Sequence, residues 1–235
     1  VLGLVMALCL VGGIAACEFP TEKQLAKPLG SSDGSGSSGG TTPGSAFSEA
    51  DSAIAVLQSL PVKGRAPKTG YNRDQFGQRW SDNVSVEGGH NGCDTRNDIL
   101  RRDLTNVELK PGSRDCVVVS GLLHDPYTGK DIPFTRGQGT SEAVQIDHVV
   151  AMSNAWQTGA QQLTAEERTN FANDPLNLLA VDGPANQKKG DGDAATWLPP
   201  QKSYRCAYVA RQIEVKTRYR LWVTQPEKDA MIQIL

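Results

Sequence analysis

A long tract of glycine and serine divides the chain and limits the part of it that can fold. Residues 30–45 include twelve Gly or Ser in sixteen positions and carry no large apolar side chain. Such a segment has nothing to bury, so it cannot repay the conformational entropy lost on ordering. We therefore predict a flexible Gly/Ser linker over residues 18–46. The remaining residues, 47–235, are numerous enough for one globular domain with a real core.

The segment before the linker is typical of an export signal. Residues 1–16 are almost wholly apolar, carry no charge and end in small residues, and they are too few for a comfortable transmembrane helix. Ile14-Ala15-Ala16-Cys17 is similar to a bacterial lipobox, in which the cysteine becomes the lipidated N-terminus. The prediction is a signal peptide with lipobox over residues 1–17, lipidation at Cys17, and membrane contact only through that anchor. The alternative is an ordinary signal peptide, free secretion and an incidental Cys17.

Charge limits the partners that the chain can take. The formal net charge is −2 at neutral pH, which argues against a generally basic nucleic-acid coat. Between Asn186 and Trp222, however, eight Lys or Arg residues stand against three acidic residues. A basic run of this kind is usually a solvated helix face. Beside a phosphodiester site it would instead be a phosphate-binding surface.

Short strands mixed with helices predict an α+β fold. The β-branched segment 116–123 predicts a strand, Pro133 makes residues 132–134 an edge strand, and residues 145–149 and 177–181 predict two more strands. Periodic apolar positions and capping signals predict helices over residues 48–60, 93–104, 164–171, 202–222 and 224–235.

The stretch from Gln145 to Asp191 carries the motifs that point to a function. It opens with a short apolar strand ending in Asp147 and His148, and it closes with two asparagines nine residues apart and a basic turn containing glycine. This arrangement resembles the ββα-metal site of HNH endonucleases. It is more similar still to secreted actinobacterial HNH proteins, whose domain is related to that of GmrSD-type restriction enzymes. The resemblance covers roughly residues 71–235 and includes Cys93-Asp94-Thr95-Arg96-Asn97-Asp98, Asp125-Pro126-Tyr127-Thr128-Gly129 and Ala195-Thr196-Trp197-Leu198-Pro199-Pro200.

The resemblance implies a role for each site residue. His148 would be the general base, Asp147 and Asn186 the ligands of one divalent metal, and Asn177 the second catalytic-site residue, which holds the loop between them. A histidine with an ordinary pKa of about 6.5 can act as a neutral base. Oxygen ligands, with asparagines in place of the family's other histidines, favour Mg²⁺, then Mn²⁺, over Zn²⁺. Neighbours on a regular strand point to opposite faces, so the strand must end or bend at Asp147 and His148.

Four basic residues are candidates for contact with substrate phosphate. The resemblance implies Lys189, with Lys188 beside it, and the guanidinium fork of Arg96 and Arg136 also suits phosphate. Each residue has a structural alternative. An Asp-His dipeptide is common, and outside this context His148 would be interpreted as a structural histidine.

Three cysteines fall in the domain: Cys93, Cys116 and Cys206. Export makes disulfide pairing the default. A bond between Cys93 and Cys116 would tie the arginine-rich helix to the first strand and leave Cys206 over, or paired beyond Leu235. A Cys–His metal cluster is the competing interpretation, although no C-x-x-C spacing supports it.

These patterns predict an exported, metal-dependent endonuclease with a ββα-metal, HNH-like core at about residues 116–191 inside a small, mostly helical domain. Nucleic acid would be the substrate, with DNA expected ahead of RNA, little sequence specificity and, as the resemblance implies, 5′-phosphate products. No protein partner is implied. The alternative is a catalytically inactive cell-surface lipoprotein that keeps the fold as a binding module. The intact set of Asp147, His148 and Asn186 favours the enzyme.

Overall fold

The computed structural model describes residues 44–235. The predicted signal segment, the lipidated Cys17 and most of the predicted linker lie outside these residues. Helix α1, Gly44–Ser59, takes in residues 44–46, which were expected to be linker, and it ends before Pro61 as predicted. In the part of the chain described here, no helix is long and apolar enough to cross a membrane.

Helices and short antiparallel strands share the described residues, which confirms the α+β class. The other helices are α2 (Thr95–Asp103), α3 (Met152–Gln157), α4 (Ala165–Asn173), α5 (Gly183–Lys189), α6 (Arg205–Arg218) and α7 (Gln225–Ile234). The strands are β1 (Leu104–Leu109), β2 (Val118–His124), β3 (Asp131–Thr135), β4 (Val144–His148) and β5 (Leu178–Asp182).

Strands β4 and β5 form an antiparallel pair with α5 directly after it. His148 lies opposite Leu178, and Asp147 opposite Leu179. The carboxylate of Asp182 caps α5 by accepting the backbone N–H of Ala185 at 2.8 Å, and a proline follows at the start of the helix. Two strands followed by a helix form the expected HNH-like core. The sequence predicted no helix over residues 183–189, where α5 lies.

The β4–β5 pair is held rigidly because apolar residues pack on both of its faces. Leu179 and Val181 belong to one buried cluster, which also contains Val149 and Tyr127. Leu178 and Ala180 belong to another, which includes Ile146. Alternate residues of one strand therefore enter different cores, as the pleat requires. The end of the pair that carries Asp147 and His148 is anchored from both sides.

The second sheet contains a strand that the sequence did not predict. Its order is β1-β2-β3, all antiparallel, and β1 begins immediately after α2. Strand β1 lies at the edge, only Leu104 of its six residues is fully buried, and its register with β2 is irregular. A polar edge strand of this kind carries neither the alternation nor the β-branched run that identifies strands in a sequence.

The capping signals that predicted helices from residues 164 and 224 are confirmed, since capping boxes are present at Thr164 before α4 and at Thr224 before α7. Helix α6 is shorter than predicted and stops at Arg218. The chain reverses at Arg220, which has a φ of 53°, and the backbone N–H of Val223 then donates to the carbonyl of Pro61 at 3.1 Å. Residues up to Trp222 were expected to extend the helix but instead form this return.

The disulfide between Cys93 and Cys116 is confirmed, with Cα atoms 5.2 Å apart. It ties the loop before α2 to the segment before β2, close to the two elements expected. Cys206 is disulfide-bonded too, so the expectation that it is left over was wrong.

Candidate active site

Asp147, His148 and Asn186 line one cleft of about 210 Å³, together with Arg73 and Asp191. Strand β4 ends at His148 itself, so the strand terminates where two neighbouring side chains must reach one place. The structure thus brings together the proposed base and both proposed metal ligands.

The carboxylate of Asp147 is buried and fixed by two donors. The hydroxyl of Tyr127 donates to Oδ2 at 2.5 Å, and the ammonium of Lys189 donates to Oδ1 at 2.9 Å. Tyr127 is fully buried, and burial, together with the nearby charge of Asp147, raises its pKa well above its usual value. Tyr127 therefore stays protonated and remains a donor to Asp147 at any working pH.

Lys189 lies inside the wall of the cleft rather than on its surface. Its side chain is 0% exposed, and Nζ also donates to the backbone carbonyl of His148 at 2.7 Å. This placement differs from the surface phosphate contact expected for Lys189, because a buried ammonium with two acceptors has no free face for substrate. Lys188, the neighbouring residue on α5, is exposed.

His148 is arranged as a neutral imidazole. Its Nε2 lies 2.9 Å from the carbonyl oxygen of Ala172, which can only accept, so Nε2 carries the hydrogen and Nδ1 keeps its lone pair. Burial lowers the pKa of His148 from 6.5 to about 4, although the Ala172 carbonyl and the charge of Asp147 act in the opposite direction. At neutral pH this side chain can accept a proton.

Asn177 is fully buried and joins the loop after β4 to the start of β5. Its Oδ1 accepts the backbone N–H of Val150 at 2.9 Å, and its Nδ2 donates to the carbonyl of Phe171 at 3.3 Å. Its own backbone carbonyl accepts the N–H of Val149 at 2.8 Å. These bonds fix the path of the chain leaving His148.

The donor set of the cleft suits a hard divalent ion. The Nδ2 of Asn186 donates to Gln145 Oε1 at 2.9 Å, which leaves the amide Oδ1 available. Each oxygen of Asp147 accepts one hydrogen bond and retains a further lone-pair site. Across residues 44–235 no three His, Cys, Asp or Glu side chains gather to hold a metal. Two oxygen donors fit Mg²⁺ or Mn²⁺, which keep water and phosphate ligands, better than a closed zinc site.

The other two phosphate candidates, Arg96 and Arg136, do not line the cleft. Arg136 donates to the carbonyl of Val118 at 2.5 Å and to Asn97 Oδ1 at 2.6 Å, and both arginines are half-buried. The guanidinium of Arg96 lies 5.8 Å from the centre of the Phe134 ring.

The sequence did not point to two residues at the site. Arg73 lies on a single 3₁₀ turn, Arg73–Phe76, where no motif marks it. Tyr127 stands in the Asp125–Gly129 segment, which the sequence marked only as part of the family resemblance. The Asp125 carboxylate does hold that turn, accepting the backbone N–H of Thr128 at 2.8 Å, and it also accepts the N–H of Asp182 at 3.0 Å. The turn is thereby tied to β5, which aims Tyr127 at Asp147.

Two comparisons with known proteins found similar sequences. The model of the family described as "GmrSD restriction endonucleases, C-terminal domain" matches residues 94–234. A protein of Arthroderma benhamiae (strain ATCC MYA-4681 / CBS 112371), named "Uncharacterized secreted protein", is 41% identical over 188 residues, which are 79% of this chain and 84% of that protein. No solved structure matches the chain.

Proposed function

The chain belongs to the family of GmrSD restriction endonuclease C-terminal domains, and we propose that it is an exported, metal-dependent HNH-type endonuclease. The family supports a nuclease acting on nucleic acid. The finer proposals are hydrolysis of phosphodiester bonds with His148 as general base, one divalent ion held by Asp147 and Asn186, and DNA as the preferred substrate.

One observation carries the proposal: a neutral histidine and two oxygen donors line the same cleft. General-base catalysis needs an unprotonated acceptor at working pH, and the partly buried His148 supplies one. Phosphodiester hydrolysis also needs neutralisation of the phosphoryl oxygens, which a divalent ion beside Asp147 and Asn186 would supply when bound.

The residues of the chain then divide the work. His148 Nδ1 takes a proton from the attacking water, whose oxygen bonds to phosphorus. The bond from phosphorus to the 3′ oxygen breaks, and the departing 3′ oxygen takes a proton from solvent water. The Ala172 carbonyl holds Nε2–H, and the charge of Asp147 favours the imidazolium that forms. Tyr127 and Lys189 hold the Asp147 carboxylate in place. The products are a 5′-phosphate and a 3′-hydroxyl end.

Export is part of the proposal. The apolar segment of residues 1–16 before a Gly/Ser tract supports it, and so does the name "secreted" given to the Arthroderma relative. Lipidation at Cys17 is the specific form proposed. Intact-mass analysis of the mature protein would show acyl groups on this cysteine, and their absence would leave free secretion.

The direct test of the activity is incubation of the purified protein with plasmid DNA, a DNA oligonucleotide and RNA, each with Mg²⁺, Mn²⁺ or EDTA. We expect nicking and then linearisation of plasmid with either metal and none with EDTA. Adding excess Mg²⁺ back to the EDTA sample should restore cleavage, which controls for loss of folded protein. Binding of nucleic acid without cleavage under every metal condition would instead favour the inactive binding module.

A further inference from the structure

A second groove begins at the active-site cleft and continues along residues 73–80. It shares His148, Arg73 and Met152 with the cleft but contains neither Asn186 nor Asp191. We call it the flank groove and define it by Arg73, Gln78, Arg79, Trp80 and His148. The flank groove meets the cleft at the proposed base. A nucleic-acid strand whose phosphate reacts at His148 would therefore continue into the flank groove.

Trp80, in the flank groove, has an unfavourable backbone conformation. Its φ is 57°, a region that bulky residues rarely occupy and that costs free energy. Its ring is nearly parallel to the imidazole of His148, with an interplanar angle of 12° and centroids 6.1 Å apart. The guanidinium of Arg79 lies 5.7 Å from the centre of the Trp80 ring. The Trp80 ring therefore neighbours both the proposed base and an arginine.

The two arginines that line the flank groove form no ion pair among the described residues, although Asp74 also lines the groove. Arg73 and Arg79 are exposed, and neither forms an ion pair or a side-chain hydrogen bond with any residue in the range 44–235. Outside the groove, burial lowers the pKa of Arg96, and the positive charges of Arg136 and Arg79 lower it further. Folding gains nothing from gathering like charges, so a ligand with negative charge explains their grouping better than stability does.

We propose that the flank groove binds an unpaired nucleotide next to the scissile phosphate, with its base stacked on Trp80 and its phosphates held by Arg73 and Arg79. This inference rests on the proposed function and names its substrate class, single-stranded nucleic acid. Aromatic faces beside arginines are the composition of sites for single strands, because every unpaired base offers a face to stack. A paired duplex keeps those faces inside its own stack.

The test compares cleavage of a labelled single strand with that of a duplex of the same sequence. The wild-type protein should show the higher kcat/KM on the single strand. Trp80→Leu should raise KM for the single strand roughly tenfold while changing duplex cleavage little, and Trp80→Phe, which keeps an aromatic face, should retain most of the preference. A purely structural role for Trp80 would weaken cleavage of both substrates alike.

Arg79→Gln is the second variant. Because Arg79 is exposed, this substitution leaves the core packing unchanged. Loss of one phosphate contact should reduce the slope of log K against log salt by about 0.7 for a single strand. Arg101→Gln is the matched control, since Arg101 is an exposed arginine on α2 that does not line the groove. Its salt slope should equal that of the wild-type protein.

Binding measured by fluorescence anisotropy in EDTA separates this inference from the proposed function. A protein that binds the single strand through Trp80 and Arg79 but never cuts it would refute the nuclease and leave the groove intact. A protein that cuts normally, with Trp80→Leu and Arg79→Gln binding and cutting the single strand like the wild type, would overturn the groove. A wild-type preference for duplex would overturn it too.

Discussion

In the wall of the cleft formed by β4, β5 and α5, the polar side chains are buried and hydrogen-bonded. In the segment of residues 71–80, by contrast, the cationic side chains are exposed. Asp147, Asn177 and Lys189 are each at most 5% exposed, and all are hydrogen-bonded. Arg73 and Arg79 face solvent, and Trp80 is only partly covered. The buried wall can fix the geometry of the reacting groups, because a buried charge tolerates little movement away from its partner. The exposed wall can adapt to a strand.

We infer from this difference that the buried wall determines stability and the exposed wall determines substrate binding. Substitutions in the buried wall should unfold the protein as readily as they inactivate it. Substitutions in the exposed wall should change binding and leave the free energy of unfolding within about 0.5 kcal/mol of the wild type. The following experiments test that separation.

Lys189→Met should have the largest effect on stability. It leaves the Asp147 carboxylate buried without its cation, which typically costs about 3–5 kcal/mol. Denaturant unfolding measures the loss, with Arg79→Gln as the control from the exposed wall. The double variant with Asp147→Asn should be less destabilised than the sum of the two single variants, because the unpaired charge is gone. Strict additivity would show that the two groups are not coupled.

Removal of the Cys93–Cys116 disulfide should have the next largest effect. The bond closes a segment with a sequence separation of 23. Serine at both positions should lower the free energy of unfolding by about 2–4 kcal/mol, chiefly by freeing the unfolded chain. Cleavage by the folded fraction should stay near the wild-type rate, since neither cysteine lines the cleft. A loss of activity without a loss of stability would contradict this division.

Tyr127→Phe removes the Tyr127 hydroxyl, which is the second donor to the Asp147 carboxylate, and keeps the aromatic ring. A hydrogen bond to a charged group contributes roughly 1.5–3 kcal/mol, so a loss of that order is expected in stability. The carboxylate should also become less well oriented, so calorimetric titration should show weaker Mg²⁺ binding. Unchanged metal affinity with lowered stability would assign Tyr127 to folding alone.

The rate of cleavage should depend little on pH near neutrality. Neutral His148 is the active form, and its pKa is lowered to about 4. The rate should therefore rise with pH through about 4 and be nearly flat from about pH 6 to about pH 8, as far as this group decides it. Initial rates at fixed Mn²⁺ measure the profile. A steep rise through pH 6.5, the ordinary value, would show that burial does not depress the pKa of the working enzyme.

The sequence predicted the parts of the site that are adjacent in the chain or marked by motif. Asp147, His148, Asn177 and Asn186 all fall on or beside the β4–β5–α5 unit, and the capping boxes and the Cys93–Cys116 pair were also predictable. Long-range contacts were not. Nothing in the spacing of Tyr127 or Arg73 indicates that either reaches the cleft, because tertiary packing places them there.

The basic run from Asn186 to Trp222 shows why charge counts mislead. Arg211 donates to the backbone carbonyls of residues 175, 176 and 178, and Arg218 pairs with Asp174 at 2.9 Å. Lys216 is fully buried against Glu227. These cations hold the fold together. The exposed arginines that line the cleft and the flank groove come from the 71–80 segment, which no composition statistic identifies.

The central claim is that His148 is the base while Asp147 and Asn186 hold the ion, and one paired measurement tests it most directly. His148→Ala is assayed for plasmid cleavage, and the same preparation is titrated with Mn²⁺ by calorimetry. Loss of a general base should slow cleavage by about 10²–10⁴-fold, while the metal affinity stays close to that of the wild type. Cleavage at the wild-type rate would contradict the account and make His148 a structural residue.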